Sequence, residues 1–185
     1  WIPEPETFWD TYATRTDALR ENRQRVADDL THRDLKLEPP ADLTGTELTS
    51  WLAVKPMEVT IVRDGKPVSL TGDALVRWKY QRYMKDYLKC VASVDDNVGR
   101  LLDFLAESGL EKNTLVVYSS DQGFYLGEHG WFDKRWMYEE SFRMPFLAQW
   151  PGVVPAGSRV DALTQNIDFA PTFLEACGVA VPAEM

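Results

Sequence analysis

A long apolar stripe dominates the pattern of hydrophobic and polar positions along the chain. Between residues 74 and 107 apolar side chains recur at steps of three or four positions, which is the spacing of one face of an α-helix. The sequence therefore predicts a helix of about 50 Å, at 1.5 Å per residue, that stops at Gly109. The stripe consists of Val76, Tyr80, Tyr83, Met84, Tyr87, Val91, Val94, Val98, Leu101, Leu102 and Leu105.

The pattern changes from helical to strand-like after Gly109. Residues 114–120, TLVVYSS, form a continuous apolar run of the kind that is buried on both faces of a parallel sheet. Residues 144–152 predict a second short strand, residues 160–166 a third, and residues 168–178 a closing helix. Helix, turn and buried strand in this order predict an α/β fold.

The N-terminal part of the chain shows a weaker pattern. Residues 8–30 are charged and weakly periodic, and they predict a solvated surface helix. Further on, the apolar arms 59–62 and 67–70 enclose Asp64-Gly65, a turn sequence typical of a β-hairpin. We interpret this part as a local excursion of the fold and not as a separate domain.

Composition and charge exclude several classes of protein. With 185 residues, 44% of them hydrophobic, the chain is long enough for one packed domain. A formal net charge of −9 and the lack of a Lys/Arg run argue against a nucleic-acid interface. No apolar run reaches the roughly 18 residues of a membrane span. Because the chain starts without Met and stops soon after a helix, we expect a piece of a longer protein, truncated at both ends.

The two cysteines, Cys90 and Cys177, show no spacing typical of a metal site or a disulfide framework. Cys90 falls within the long helical pattern, and Cys177 falls beside the end of the closing helix. A free cysteine behaves as a small apolar side chain, so both positions predict buried free thiols.

The stretch SSDQGFYLGEHGWFDKRWMYEE, residues 119–140, concentrates the polar chemistry. Asp121 and Gln122 follow the predicted strand, and ligands bind at the carboxyl ends of strands in open α/β sheets. Gly123 allows the backbone to turn sharply, so that both side chains can face one point. A carboxylate and an amide oxygen suit a hard cation such as Ca²⁺ or Mg²⁺. The dipeptide leaves an alternative open, in which Asp121 caps a turn and Gln122 is solvated.

His129, one of only two histidines, and Lys134 lie in the same stretch. Lys134 follows Asp121 by 13 residues across a glycine-containing loop, so the chain can fold back and set an ammonium beside the metal. Such a pair of cations favours an oxyanion substrate. Two alternatives remain: a structural hydrogen-bonding role for His129, and a solvated pair of Lys134 and Arg135 that balances the nearby glutamates.

Residues 114–152, TLVVYSSDQGFYLGEHGWFDKRWMYEESFRMPFLAQWPG, resemble the sulfatase family of the alkaline phosphatase-like superfamily. The segments YLKCVASVDDNVGRLLDFLAESGL and NIDFAPTFLEACGV resemble the flanking helices of that family. The resemblance implies an alkaline phosphatase-like α/β sandwich with a mostly parallel central sheet and flanking helices, seen here as a partial domain. Residues 71–185 would be the metal- and sulfate-binding half, and residues 1–70 the surface helix and hairpin excursion that precedes it.

The same resemblance implies a formylglycine-dependent type I sulfatase that removes sulfate from a sulfated small molecule or glycan. The formylglycine, made from Cys or Ser, would lie upstream of this chain, because neither cysteine here stands in the required motif. The implied cation is Ca²⁺, with Mg²⁺ as the alternative. We expect the isolated fragment to be inactive and the complete protein to be periplasmic or secreted. The substrate and the oligomeric state stay open.

The family's site residues carry over to four positions of this chain. Asp121 falls on a metal-binding Asp and Gln122 on the adjacent ligand, where Asn or His often stands. Lys134 falls on the sulfate-binding Lys, whose charge can also offset the alkoxide that forms on the leaving group. His129, in the Gly-Glu-His-Gly segment, is implied as a substrate contact or proton partner rather than as a metal ligand.

Two other functions compete with the sulfatase reading. A phosphonate monoester or phosphodiester hydrolase of the same superfamily would use a similar loop and a similar cation. A non-catalytic binding module would keep the fold but lack the upstream nucleophile. The presence of Asp121, Gln122, His129 and Lys134 together favours an enzyme.

Overall fold

Helices and short strands alternate along the chain in the computed structural model, which describes residues 1–22 and 24–185. The α/β class predicted from the sequence is confirmed. The helices are α1 (Asp17–Arg20), α2 (Gly45–Leu52), α3 (Gly72–Glu107), α4 (Glu139–Phe142) and α5 (Phe169–Ala176). The strands are β1 (Val59–Arg63), β2 (Lys66–Leu70), β3 (Val116–Ser119), β4 (Tyr125–Leu126), β5 (Phe132–Asp133) and β6 (Phe146–Gln149).

The chain divides into two units. The first comprises Trp1–Phe104 and Gln122–Arg143, and the second comprises Leu105–Asp121 and Met144–Met185. In the first unit, apolar side chains from the segment before α1, from the residues after it and from α3 form a common core. The buried members of this core are Phe8, Val26, Leu30, Leu35, Tyr80 and Met84.

Helix α3 confirms the helix predicted over residues 74–107 as one unbroken element of 36 residues. Gly109 follows it with a φ of +70°, a left-handed conformation that glycine adopts readily at helix ends. The first half of the helix is covered, and Tyr80 is only 2% exposed. No helix within residues 1–22 and 24–185 is both long and apolar enough to cross a membrane. From residue 88 onward, the exposed apolar residues of the helix include Leu88, Val91, Val94, Leu101 and Phe104.

Five consecutive residues of α3, residues 79–83, donate side-chain hydrogen bonds to main-chain carbonyl oxygens of neighbouring segments. Successive helical residues point about 100° apart, so these donors surround the helix on all sides. We call residues 79–83 the donor girdle. Its hydrogen bonds run from Lys79 to Ala27, from Tyr80 to Pro3, from Gln81 to Ile2, from Arg82 to Leu35 and Lys36, and from Tyr83 to Tyr125.

The hairpin predicted around Asp64-Gly65 is confirmed. Strands β1 and β2 pair antiparallel, and Arg63 stands opposite Lys66 at the turn. Asp64 and Gly65 have φ values of +51° and +74°, which are the two left-handed positions of a type I′ turn. An Asp-Gly pair adopts this conformation at low energy, which explains why the short motif was sufficient for the prediction.

The surface helix predicted over residues 8–30 is wrong, because α1 is the only helix among the described residues of that range. Asp10 and Asn22 each accept, through Oδ1, the N–H of the residue two positions further on, at 2.8 and 3.0 Å. Side-chain bonds of this kind compete with the backbone bonds of a helix. Several of its apolar residues are also buried rather than solvated, since Phe8, Val26 and Leu30 are at most 2% exposed. Arg23 belongs to the predicted helix but lies outside the described residues.

Strands β3 and β6 confirm the two apolar strands predicted on either side of the polar stretch. They pair antiparallel, with Ser119 opposite Phe146, rather than parallel as the apolar run suggested. Every residue of β6 is exposed, so the described residues do not cover it on both faces. The third strand predicted at residues 160–166 is wrong: that segment is exposed and pairs with no strand in the described part of the chain.

Both cysteines are free thiols, but the prediction that they are buried is wrong. Cys90 lies where α3 passes from its covered half to its exposed half, and Cys177 follows the last residue of α5. At both positions the apolar sequence pattern continues, but no other described residues cover the side chains there.

Candidate active site

Asp121 lies two residues beyond the end of β3, in the second unit. Its carbonyl oxygen accepts a hydrogen bond from Asn166 Nδ2 at 3.2 Å. Ser119 anchors the strand end by donating to the carbonyl oxygen of Pro145 at 2.9 Å. Asp121 itself is exposed, and its Oδ1 lies 3.5 Å from Ser120 Oγ. The main chain is thus fixed while the carboxylate remains accessible, as a ligand for a cation must be.

Gly123, in the first unit, lies where no larger residue fits. Its N–H donates to the carbonyl oxygen of Ser141 at 2.7 Å, and an added Cβ would lie 2.0 Å from the carbonyl oxygen of Glu140. Its φ is not left-handed, so the glycine permits a close approach rather than the sharp turn that we predicted. The segment that carries Gln122 is therefore held against the main chain of residues 140–141.

A small hairpin folds the polar stretch back on itself. Strands β4 and β5 pair antiparallel, with Tyr125 opposite Asp133. The next residues outward are Phe124 and Lys134, so the chain at Lys134 returns toward the segment that begins at Gln122. Sequence reasoning missed this hairpin because strands of two residues produce no alternation that a pattern could detect.

The turn between β4 and β5 contains three residues with positive φ: Gly127 at +106°, His129 at +62° and Gly130 at +71°. A Cβ on Gly127 would lie 2.6 Å from the ring of Tyr80, and a Cβ on Gly130 would lie 2.6 Å from the carbonyl oxygen of Phe8. The two glycines therefore permit both the backbone conformation and the close contact with the core. Packing against Phe8 and Tyr80 fixes the turn.

His129 is enclosed on several sides. Its backbone N–H donates to Thr7 Oγ1 at 2.8 Å, and its side chain is 15% exposed. Four aromatic rings surround the imidazole at centroid distances of 4.7 to 6.1 Å. We call these four residues the aromatic box. They are Tyr12, Tyr125, Trp131 and Tyr138.

Burial raises the pKa of two tyrosines in the aromatic box. Trp131 and Tyr125 are both 0% exposed. Burial raises the pKa of the Tyr125 phenol, and burial together with the nearby charge of Asp10 raises the pKa of Tyr12. Both phenols therefore keep their protons to a higher pH than an exposed tyrosine does. Tyr125 uses its proton in a hydrogen bond of 2.9 Å to the carbonyl oxygen of Trp136.

Glu140 contacts the imidazole of His129 from the first turn of α4. The distance from His129 Nε2 to Glu140 Oε1 is 3.3 Å. Arg135 pairs instead with Asp133, Nε to Oδ2 at 2.7 Å, and Lys134 is exposed. In the alternative, Lys134 and Arg135 would pair with the nearby glutamates. Arg135 instead pairs with Asp133, and Glu140 instead contacts His129. Sequence reasoning missed Glu140, because the contact depends on the fold of the intervening hairpin.

The side chains of Asp121 and Gln122 carry the type of oxygen donor that a hard cation binds, but two residues are fewer than the ligands such a cation takes. Carboxylate and amide oxygens are the donors that Ca²⁺ and Mg²⁺ take, and Ca²⁺ takes about six to eight of them. Within residues 1–22 and 24–185, no group of three or more His, Cys, Asp or Glu side chains is placed to hold a metal ion.

Comparison with protein families and curated proteins gives a consistent set of relatives. A family model described as "N-sulphoglucosamine sulphohydrolase, C-terminal" matches residues 127–185. An N-acetylglucosamine-6-O-sulfatase of Bacteroides thetaiotaomicron is 45% identical over 197 residues, which cover 100% of this chain and 35% of that protein. A sulfatase of Formosa agariphila is 37% identical over 101 residues, which cover 55% of this chain and 20% of that protein.

Comparison with solved structures agrees with the curated relatives. One structure of a protein in complex with its substrate, D-glucosamine-2-N,6-O-disulfate, matches with a TM-score of 0.79 and 42% sequence identity. The match covers 99% of this chain and 40% of the solved chain. The chain thus spans about a third of the length of its 45% identical relative and less than half of the solved chain.

Proposed function

The chain belongs to the sulfatase family, and we propose that the complete protein hydrolyses the sulfate ester of a 6-O-sulfated glucosamine derivative. The observation that carries this proposal is the similarity of nearly the whole chain to a structure whose protein takes a sulfated glucosamine as substrate. The 45% identical N-acetylglucosamine-6-O-sulfatase supports the same sugar and the same position. The substrate class is therefore a sulfated monosaccharide or a glycan that ends in one.

Asp121 and Gln122 are the proposed protein ligands, from this chain, of a Ca²⁺ or Mg²⁺ ion. The accessible carboxylate beyond β3 supports the role of Asp121. The main chain beside Gln122 is held through Gly123, which supports a fixed position for the amide. When bound, the cation would neutralise negative charge on the sulfate oxygens.

Lys134 is the proposed second source of positive charge for the sulfate, and His129 the proposed contact of the leaving alcohol. A sulfate monoester repels a nucleophile until its anionic oxygens are neutralised, and its alcohol needs a proton on departure. Lys134 is exposed and directly follows β5, where the chain returns toward Gln122, which supports the first role. The enclosed but not fully buried imidazole supports the second.

The proposed nucleophile is a formylglycine outside this chain, since Val94 stands where the motif around Cys90 needs Arg, and Cys177 is followed at the required offsets by neither Pro or Ala nor Arg. When present, its hydrated aldehyde supplies the attacking oxygen. We extend the proposal to a mostly parallel central sheet that further strands complete, which the exposed faces of β6 support. A periplasmic or secreted location is also proposed, on the family resemblance alone.

An assay of the complete protein on three esters tests the function. The esters are D-glucosamine-2-N,6-O-disulfate, 4-nitrocatechol sulfate and 4-nitrophenyl phenylphosphonate. We expect sulfate release from the sugar, with a kcat/KM at least about 100-fold above that for the phosphonate. A preference for the phosphonate would replace the proposal with a phosphonate hydrolase. Turnover of none of the three would favour a binding module.

A further inference from the structure

A cavity of about 340 Å³ lies within the first unit, between α3, residues 30–36 and the β4–β5 hairpin. Its volume is at the lower end of the range for small-molecule sites, which is roughly 300–1,000 Å³. Two of its lining residues belong to the polar stretch: Phe124 lies two residues after Gln122, and Phe132 lies two residues before Lys134. The cavity therefore adjoins the segments that carry two of the proposed site residues.

Aromatic rings form one wall of the cavity. The rings of Tyr87 and Phe124 are nearly parallel, with a centroid distance of 6.0 Å and an interplanar angle of 12°. Tyr87 is half-buried, whereas Phe124 is 37% exposed, so part of this aromatic surface stays accessible. The face of an aromatic ring is electron-rich and attracts the C–H groups on the face of a sugar ring. The wall therefore suits a sugar.

Three of the four charged side chains that line the cavity already have partners. Asp34 Oδ2 accepts the hydroxyl proton of Thr31 at 2.7 Å, and Lys36 Nζ lies 3.4 Å from Asp86 Oδ2. A hydrogen bond from Lys89 lowers the pKa of Asp86, so this carboxylate is ionised and pairs with two ammonium groups. The carboxylates that line the cavity are thus occupied and do not favour a cationic ligand.

Arg33 is the fourth charged lining residue, and it is exposed. No described residue pairs with its guanidinium. Its main chain is nevertheless held, because its N–H donates to the carbonyl oxygen of Leu52 at 3.1 Å and its carbonyl oxygen accepts the N–H of Lys36 at 3.0 Å. A guanidinium binds an oxyanion through two parallel hydrogen bonds. The unpaired charge therefore favours an anionic group on the ligand.

We propose that this cavity binds the sugar linked to the sulfated glucosamine, with Arg33 paired to an anionic group of that sugar and Phe124 against its ring. The preferred substrate of the complete protein is then a glycan that ends in the sulfated glucosamine, and not the free monosaccharide. This inference rests on the proposed sulfatase function and names the larger substrate of the same site. The anionic group is a carboxylate or a sulfate, which the experiment distinguishes.

Four substrates of the complete protein test the cavity. Each contains D-glucosamine-2-N,6-O-disulfate, either free or linked to a neutral hexose, a hexuronic acid or a sulfated hexose. We expect kcat/KM for one of the two anionic disaccharides to exceed that of the free sugar at least about 10-fold. A preference for the hexuronic acid assigns a carboxylate, and a preference for the sulfated hexose assigns a sulfate. Equal values for all four, or a preference for the free or the neutral sugar, overturn the inference.

Replacement of Arg33 should remove the preference. In R33M, kcat/KM on the preferred anionic disaccharide should fall about 10- to 100-fold, and that on the free disulfated glucosamine should stay within about threefold. R33K keeps the charge without the planar fork and should lie between R33M and the wild type. R63M is the matched control, since Arg63 is an exposed arginine of β1 in the same unit that does not line the cavity.

Two outcomes contradict the role of Arg33. Equal losses in R33M on the disaccharide and on the free sugar would show a general effect on the enzyme, and equal losses in R33M and R63M would show an effect of surface charge. Thermal unfolding of each variant checks that the fold is kept.

Cys90 provides a test that needs no turnover, because it lines the cavity as an exposed free thiol. Cys177 is the control in the same chain: it is an exposed free thiol of the second unit and does not line the cavity. Iodoacetamide labelling of the complete protein, followed by mass spectrometry of the peptides, gives the rate at each thiol. The probes are the two anionic disaccharides without the 6-O-sulfate.

We expect one of these probes to slow the labelling of Cys90 several-fold in the wild type but not in R33M, and to leave Cys177 unchanged. A Cys90 that resists labelling without a probe, or that is labelled equally fast with and without both probes, overturns the inference.

The kinetic outcomes separate the inference from the function on which it rests. Sulfate release from the free disulfated glucosamine with no gain on either anionic disaccharide overturns the inference while the sulfatase function stands. Release of sulfate from none of the four substrates overturns the function, and the inference with it.

Discussion

The turn at residues 127–131 and the two polar residues Asp121 and Lys134 differ in how much of their surroundings this chain provides. Within the turn, Gly127, Gly130 and Trp131 are buried, and contacts with the core fix the backbone. Asp121 and Lys134 are exposed. The surroundings of the turn are therefore provided by the chain itself, whereas the side chains of the two exposed residues are open to solvent.

The difference teaches which changes should affect stability and which should affect only function. An enclosed residue has partners whose loss or displacement destabilises the fold. An exposed polar residue contributes little to stability, so its replacement should leave the fold intact and show only in binding or rate. Each of the following predictions for the complete protein tests one side of this comparison.

The largest effect is expected for Lys134. If its ammonium binds the sulfate, K134M should lower kcat/KM on the disulfated glucosamine about 100- to 1,000-fold, because a donor aimed at developing charge is lost. The melting temperature should stay unchanged. R135M is the control, since Arg135 is exposed and pairs with the neighbouring Asp133. A similar loss of activity in both variants would show that general surface charge, and not Lys134, matters.

Asp121 should give the next largest effect. D121N removes a charged oxygen ligand, and we expect the affinity for Ca²⁺ to fall on the order of 10- to 100-fold, which is 1.4 to 2.7 kcal/mol. Calcium titration of the chelator-treated protein, followed by recovery of activity, measures the change. D95N, an exposed position on α3, is the control. Unchanged calcium affinity in D121N would remove Asp121 from the metal site.

Gly123 tests the enclosed side of the comparison. G123A should destabilise the protein by about 1–3 kcal/mol, because its Cβ would lie 2.0 Å from the carbonyl oxygen of Glu140. G99A is the matched control: Gly99 lies within α3 and has nothing within 4 Å of an added Cβ. That change should stabilise by roughly 0.5–1 kcal/mol. Chemical unfolding measures both, and equal effects would contradict the close approach.

The smallest effect is the pH dependence contributed by Tyr125. Burial raises the pKa of this phenol, so the folded protein keeps the proton in a range where the unfolded chain loses it. Its contribution is complete below the unfolded pKa of about 10 and is lost as the pH rises above that value. The stability difference between the wild type and Y125F should therefore shrink as the pH rises above about 10. Y118F, at an exposed tyrosine, should show no such change.

The parts of the fold that were predictable from the sequence are those set by local chemistry. The stripe of α3 and the Asp64-Gly65 turn each depend on residues that are close in sequence. The segment 8–30 was not predictable in the same way, because Asp10 and Asn22 redirect the backbone at single positions. Periodicity averages over such positions and cannot detect them.

In the candidate site, too, the residues that could be predicted are those identified by local sequence, and the residues that were missed make long-range contacts. Asp121 and Lys134 could be chosen from their spacing and residue types alone. Thr7 and Tyr12 could not, since they reach His129 across more than a hundred residues of sequence and carry no motif. The contact between Glu140 and His129 also required the β4–β5 hairpin, which leaves no pattern of its own.

The donor girdle of α3 has a consequence for how relatives of this protein can diverge. Its five side chains bond to carbonyl oxygens, and every amino acid carries one. Four of the five side chains bond to the segment that precedes the helix, so the helix recognises the path of that segment and not the identity of the bonded residues. Substitutions at bonded positions outside the core, such as Pro3 and Lys36, can therefore accumulate among homologues without loss of these hydrogen bonds, while residues 79–83 stay the same.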